Sequence, residues 1–351
     1  MKASYEKYIL KFKRPSGTSR GLLKEKETWF LKLTDKDKIG IGECGMFRGL
    51  SVDDRPDFED QLQELCQLIN ENQNIPPDFL KEFPAIQMGY ETALLSFNAK
   101  NIFELFPSKF TRGEEDIPIN GLVWMGDLSF MKDQISEKIA QGFGCIKLKI
   151  GALDFENEID LLKGIRSSFS EEKLILRVDA NGAFQRSEVL DKLKKLSDLG
   201  IHSIEQPIAA NQQEVMREVC AITPLPIALD EELIGCFDKA DRAALLDKIK
   251  PQYIILKPTL LGGFKSCEEW IELAEARSIG WWITSALESN LGLNAIAQWT
   301  YNLEPHSFQG LGTGGLFTNN IEASLEVDSG YLKFNPKLNW NFNFNHVYRA
   351  N

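Results

Sequence analysis

The chain has 351 residues, 43% of them hydrophobic, and carries 40 basic against 51 acidic side chains, a formal charge of −11. That balance argues against nucleic acid or an anionic membrane surface as partner, and no apolar run reaches the roughly 18 residues a membrane span needs. The length suits one β/α barrel of about 250 residues plus a smaller unit.

Six cysteines (Cys44, Cys66, Cys145, Cys220, Cys236 and Cys267) are scattered without a Cys-x-x-Cys pair, which predicts reduced thiols. The first residues, Met1-Lys-Ala-Ser-Tyr-Glu-Lys7, are polar and do not resemble a signal peptide, so a soluble, cytoplasmic protein is expected.

Residues 1 to about 50 read as a β-meander. Tyr5–Phe12 and Thr28–Leu33 alternate, and Asp35-Lys-Asp-Lys38 is a polar turn before Ile39–Glu43. The stretch Arg14–Gly21 between the first two strands reads as a flexible loop. Helical periodicity over 57–73 and 83–101 comes next, the second with small residues suited to close packing. Strands succeeded by helices fit an α+β unit. Phe106–Glu115 would connect it to the barrel.

From there the pattern changes. Ile117–Val123 predicts a first parallel strand, Met131–Gln141 a helix, and Cys145–Ile150 a second strand. Four further short apolar runs end in charge: Arg177-Val-Asp-Ala-Asn181, Ile204-Glu-Gln-Pro207, Ala228-Leu-Asp-Glu231 and Ile255-Leu-Lys-Pro258. Such runs are what strands buried on both faces look like when only their tips are polar. Asp179, Glu205, Asp230 and Lys257 succeed one another at intervals of 26, 25 and 27 residues, about the length of a strand, a return helix and two loops. Each charge therefore reaches the same end of successive strands, and in a closed barrel those ends converge on one pocket. Trp281–Ser285 predicts a seventh strand and Ser307–Gly310 an eighth. After Phe317 alternating strands and turns run from 325 to 344.

The converging groups have a chemical logic. Three carboxylates without a cation would repel and raise one another's pKa, whereas a hard divalent ion such as Mg²⁺ suits all-oxygen ligation. Lys147 and Lys149, two apart on one strand, share a face. Burial and mutual proximity would bring such lysines down towards neutrality, where they act as acid and base. The blander alternatives are an edge strand for the lysines and helix caps for the acids. Apolar Cys145, Ile146, Leu148 and Ile150 around the lysines favour an interior strand, and the shared spacing favours a metal site. Asn181 is either such a cap or support for a ligand. His202 and His306 precede strands rather than end them and are poor candidates for a base.

At these residues the sequence resembles the enolase superfamily, in its Lys-x-Lys, muconate-lactonizing branch, over nearly its whole length. The resemblance implies an α/β fold: a modified (β/α)₇β barrel over 116–317, with an α+β capping domain of residues 1–115 completed by 318–351. It implies Asp179, Glu205 and Asp230 as ligands of Mg²⁺, with Mn²⁺ able to substitute. Lys149 would be the acid/base lysine, Lys147 its modulator, and Lys257 the lysine of the opposite face. In the cap, the loop carrying Arg20 and the stretch Cys44–Ser51 would close over the substrate, making Arg20 a candidate carboxylate contact.

Within the branch, Thr284-Ser-Ala-Leu-Glu-Ser-Asn-Leu-Gly292 resembles the o-succinylbenzoate synthases, as does Arg177. The glycine-rich Gly310–Phe317 lacks the Asp-x-Asp usual in dipeptide epimerases. This implies Mg²⁺-dependent dehydration of 2-succinyl-6-hydroxy-2,4-cyclohexadiene-1-carboxylate, a dianion, in menaquinone biosynthesis. Ser285 and Gly310 would hold its succinyl carboxylate, with Arg177 a further substrate contact. The alternatives are an N-succinylamino acid racemase or another epimerase or cycloisomerase of the branch and, from a different class, a metal-free Schiff-base lyase on a barrel. The sequence does not reveal the oligomeric state.

Overall fold

The computed structural model describes residues 1–18 and 21–342. Three antiparallel strands open the chain: β1 (Lys2–Thr18), β2 (Gly21–Asp35) and β3 (Lys38–Cys44). The first two run further than the alternation predicted, through a register shift between Lys11 and Ser16. The expected Arg14–Gly21 loop is thereby largely absorbed into the strands. Arg20 lies outside the described residues.

Two helices back this sheet. Helix α1 (Phe58–Asn70) buries Phe58, Leu62, Leu65, Cys66 and Ile69, one stripe at helical spacing. Helix α2 (Pro84–Asn98) starts on a proline, whose missing N–H costs nothing at a first helical position. It packs so tightly on β3 that a Cβ at Gly42 would sit 1.8 Å from the Gly89 carbonyl oxygen. The small residues seen in the sequence are there for that approach.

The rest is a repeating strand–helix unit. After β4 (Ile117–Pro118) and β5 (Gly121–Val123) come α3 (Leu128–Ala140), β6 (Cys145–Lys149), α4 (Phe155–Ser168), β7 (Ile175–Asp179) and α5 (Val189–Ser197). Next are β8 (Ser203–Glu205), α6 (Gln213–Ile222), β9 (Ile227–Leu229), α7 (Lys239–Ile249) and β10 (Tyr253–Leu256). The short α8 (Pro258–Leu261), α9 (Gly263–Glu275), β11 (Gly280–Ile283) and α10 (Asn290–Asn302) complete the series. Strands β5 to β11 form one parallel sheet in sequence order.

The eighth strand is reduced to single bridges. Gln309 pairs with Ile119 beside β5 and Gly310 with Thr284 after β11, and these bridges join the sheet's two edges into a barrel. Gly310 must be glycine here, because a Cβ would lie 2.5 Å from Thr284 Oγ1. Arg177 reinforces the closure from β7. It donates to the Phe308 carbonyl (2.9 Å) and Ser307 Oγ (3.1 Å), and its guanidinium lies 4.0 Å from the centre of the Trp282 ring.

The last two strands, β12 (Leu325–Asp328) and β13 (Tyr331–Phe334), form a hairpin that pairs with β4 rather than with the N-terminal sheet. Contact with that sheet comes instead from Phe317, bridged to Phe12, and from Phe342, whose ring meets Phe30 edge-on.

A buried carboxylate fastens sheet to barrel. Glu43 of β3 accepts from Thr28 Oγ1 (2.8 Å), Ser289 N (2.9 Å), Ser289 Oγ (2.5 Å) and Gly292 N (2.9 Å). It thus sits on the first turn of α10, where free N–H groups and the helix dipole favour an anion. Among the described residues no helix is long and apolar enough to cross a membrane.

Candidate active site

The strand tips open into a cavity of about 920 Å³. From the barrel it is lined by Lys147, Lys149, Asp179, Asn181, Asp230, Glu231, Lys257, Ser285 and Gly310, and from the N-terminal layer by Arg14, Phe47 and Leu50. Phe47 and Leu50 come from the stretch expected to close the pocket. The three lysines and three acids singled out in the sequence meet here, with Glu205 just behind the cavity wall. Their side chains are at most 13% exposed.

Charges alternate across the site. Lys147 Nζ lies 3.1 Å from Asp179 Oδ2 and 2.5 Å from Glu205 Oε2, while Lys257 Nζ lies 3.8 Å from Glu205 Oε1 and 2.5 Å from Asp230 Oδ2. Lys149 Nζ donates to Asp179 Oδ2 (2.9 Å) and to Asn181 Oδ1 (2.7 Å). Asn181 supports both kinds of group, since its N–H donates to Asp179 Oδ1 (3.0 Å) and its amide donates to Glu231 Oε1 (3.0 Å). To do so it takes a left-handed backbone, φ 43°.

Lys257 is extended, as the proline after it requires, and Pro258 opens α8 directly behind it. Glu231 is a pocket carboxylate that sequence reasoning passed over. Its signal was the acidic run Asp230-Glu231-Glu232, read only for its first member.

The electrostatics differ from the sequence expectation in one respect. Burial pulls Lys147 down, but the Asp179 and Glu205 charges outweigh it and hold the ammonium above the ordinary lysine range. Lys257 is likewise lowered by burial and raised further by Asp230 and Glu205. Neither approaches neutrality, because each lysine faces acids more closely than it faces another lysine.

The acids diverge. Burial raises Asp179, but Lys147 and Lys149 pull it below the usual carboxylate range. Glu205 is pushed up to about 8 by burial and by Asp179, against the pull of Lys147. Asp230 is also raised, first by burial, although Lys257 opposes it.

As they stand, no three His, Cys, Asp or Glu side chains among the described residues are grouped so as to hold a metal ion. The ammonium groups of Lys147 and Lys257 bridge the three carboxylates instead. The residues nevertheless fit a hard cation. The donors are oxygens from three neighbouring strand tips, and Glu205 Oε1 is buried without a hydrogen bond. A buried carboxylate oxygen that accepts no hydrogen bond suits a divalent ion.

Ser285 and Gly310, expected to hold a carboxylate, make hydrogen bonds within the chain. Both residues line the cavity. Ser285 N donates to the Gly310 carbonyl (3.1 Å), and Gly310 N to that of Ile283 (2.8 Å). Ser285 Oγ lies 2.5 Å from Glu288 Oε2, so its single proton goes to that carboxylate. Arg177 is absent from the cavity wall, its guanidinium committed to barrel closure.

The sequence matches the enolase C-terminal domain-like family over residues 131–337. An o-succinylbenzoate synthase from Desulfotalea psychrophila is 48% identical, over 95% of this chain and 98% of its own length. The chain belongs to the enolase superfamily.

The crystal structure of MenC from Desulfotalea psychrophila superposes with a TM-score of 0.85 at 46% identity, covering 95% of this chain and 99% of that one. An o-succinylbenzoate synthase from Thermosynechococcus elongatus, crystallised with Mg in its active site, shares the fold at TM-score 0.71 and 22% identity, over 88% and 92% of the two chains.

Proposed function

We propose that this enolase-superfamily chain is an o-succinylbenzoate synthase. It would dehydrate 2-succinyl-6-hydroxy-2,4-cyclohexadiene-1-carboxylate to 2-succinylbenzoate in menaquinone biosynthesis. The observation that carries the reading is 48% identity to such an enzyme over 95% of the chain, together with the lysines and acids around one cavity. The six free thiols fit a reducing compartment, and we place the reaction in the cytoplasm. Residues 1–115, completed by 318–351, would cap a catalytic barrel over 116–317.

The chemistry derives from the residues. Asp179, Glu205 and Asp230 would hold Mg²⁺, or Mn²⁺ in its place. That ion would supply Lewis-acid neutralisation of the charge that builds on the ring carboxylate. Lys149 Nζ takes the proton from the carbon bearing that carboxylate. The same ammonium then gives it to the departing hydroxyl on the same face, which leaves as water while the ring becomes aromatic. Asn181 Oδ1 holds Lys149 Nζ in place. Lys257, kept cationic by Asp230, stabilises negative charge from the opposite side. Lys147 remains buried against Asp179 and Glu205 and fixes their positions.

Racemization of N-succinylamino acids is the second reading, because Lys149 and Lys257 both reach the cavity. A Schiff base at Lys147 or Lys257 is disfavoured, since both are held protonated by neighbouring acids and an amine nucleophile must be neutral. The test is formation of 2-succinylbenzoate beside α-deuterium exchange of N-succinyl amino acids in D₂O by the same preparation. Dehydration at a kcat/KM well above exchange is expected. Exchange into both enantiomers at an equal or higher kcat/KM would make the chain a racemase.

A further inference from the structure

Three successive acids leave the short 3₁₀ turn Glu231–Leu233 and the residue before it in three directions. Asp230 meets Lys257 Nζ (2.5 Å), while Glu232 turns inward and accepts from Asn211 N (3.2 Å) and Gln206 Nε2 (3.4 Å). Gln206 Oε1 accepts in turn from Asp230 N (3.2 Å) and Glu232 N (3.4 Å), so the turn is pinned on both sides of Glu231. Glu231 itself lines the cavity and accepts from Asn181 Nδ2 (3.0 Å), 50 residues away in sequence. It takes no part in the proton transfers of the dehydration.

An asparagine amide has two unlike ends. The Lys149 ammonium can only donate and meets the Oδ1 end (2.7 Å), whereas the Glu231 carboxylate can only accept and meets the Nδ2 end. Asn181 Oδ1 and Asp179 Oδ2 (2.9 Å) therefore hold two N–H bonds of Lys149. In the neutral amine those are all the hydrogens there are, so the lone pair is left for the cavity that Lys149 lines. A flipped amide would turn Nδ2 onto that nitrogen instead. It would oppose the ammonium donor to donor, and it would donate into the lone pair that must take the substrate proton.

We infer that Glu231 is a positioning residue for the base, and that through Asn181 it fixes the amide orientation that keeps the Lys149 lone pair free. The left-handed backbone of Asn181 (φ 43°) keeps its amide between the two partners, and aspartate tolerates that conformation too. The inference rests on the proposed function for the role of Lys149 as base.

The test is a double-mutant cycle at saturating Mg²⁺, read as kcat and KM for 2-succinylbenzoate formation. Glu231→Met keeps the length of the side chain and loses the acceptor. It should lower kcat about ten- to a hundredfold, the effect of one lost bond to a charged group, and leave KM within about twofold. Glu231→Gln can still turn an oxygen to Asn181 Nδ2 and should bring kcat back to within about threefold of wild type. In Asn181→Asp both ends of the side chain accept, so there is no wrong orientation to exclude. Adding Glu231→Met to Asn181→Asp should then lower kcat by less than about twofold more, a coupling that a merely structural glutamate would not show.

Equal losses from Glu231→Met in the two backgrounds would overturn the inference, as would wild-type kcat in Glu231→Met alone. A wild type that forms no 2-succinylbenzoate would overturn the dehydratase reading instead. The same cycle is then read on α-deuterium exchange of N-succinyl amino acids in D₂O, where Lys149 is the base on one face, and the same two results decide it.

Discussion

Among the described residues, the buried charges at the sheet–barrel joint and those at the barrel mouth are satisfied in opposite ways. At the joint between sheet and barrel, Glu43 and Glu288 face Lys26, whose Nζ donates to the Gly45 carbonyl (3.0 Å). Both carboxylates there are saturated by hydroxyls and backbone N–H groups. At the barrel mouth, carboxylates and ammonium groups alternate directly, Glu205 Oε1 accepts no hydrogen bond, and a cavity of about 920 Å³ opens alongside. Neutral donors in fixed geometry make a rigid joint. Unscreened charges with an unmet valence make a site that can take up a cation, a proton or a substrate.

Substitutions should separate the two clusters. The largest effect belongs to the mouth. Lys149→Ala should lower kcat by about 10²–10⁴-fold, the range for a lost general acid–base, and Lys257→Ala by about 10²–10³-fold, the range for one electrostatic donor. The thermal unfolding midpoint of Lys149→Ala should move little, because Asp179 keeps Lys147, and a large fall in its Tm with wild-type kcat would reverse the roles assigned to the clusters.

At the joint the pattern should invert. Glu43→Gln presents an N–H₂ group to donors on Thr28, Ser289 and Gly292 and should cost about 2 kcal/mol of stability in denaturant titration. Its kcat should stay within about threefold of wild type.

A smaller effect is expected from Asp53, a third type of buried acid. One of its oxygens accepts from Ala85 N (2.8 Å) at the start of α2, and the other has no hydrogen bond. Burial pushes its carboxyl up to about 7 from an ordinary value of 3.8. Between those values the folded chain holds a proton that the unfolded chain has released. Stability from this group is therefore fully present below the ordinary value and is lost as pH rises through about 7. Asp53→Asn should flatten that part of the stability–pH curve, and an unchanged slope would show that Asp53 is ionised throughout.

The mouth was legible in the sequence and the joint was not. Asp179, Glu205, Asp230 and Lys257 recur at 25 to 27 residues because a β/α unit has a nearly fixed length, so spacing alone sends them to one end of the barrel. Glu43 and Glu288 are 245 residues apart and share no period, and only the folded chain brings both against Ser289 and its neighbours. The eighth strand was foreseen as a segment, but not its reduction to two bridges, which depends on Thr284 pressing against Gly310. Ser285 and Arg177 were read by resemblance as substrate contacts. Their hydrogen bonds go to Glu288 and to Phe308 and Ser307, partners that no local pattern announces. The final hairpin pairs with β4 because that two-residue strand offers an edge within reach.

The contrast between an unmet and a completed cluster is tested most directly by Mg²⁺ titration calorimetry on folded wild type, Glu205→Gln and Glu43→Gln. One Mg²⁺ should bind per wild-type chain, binding should vanish in Glu205→Gln, and Glu43→Gln should bind as wild type does. No Mg²⁺ binding by wild type, or equal loss in both variants, would contradict the account.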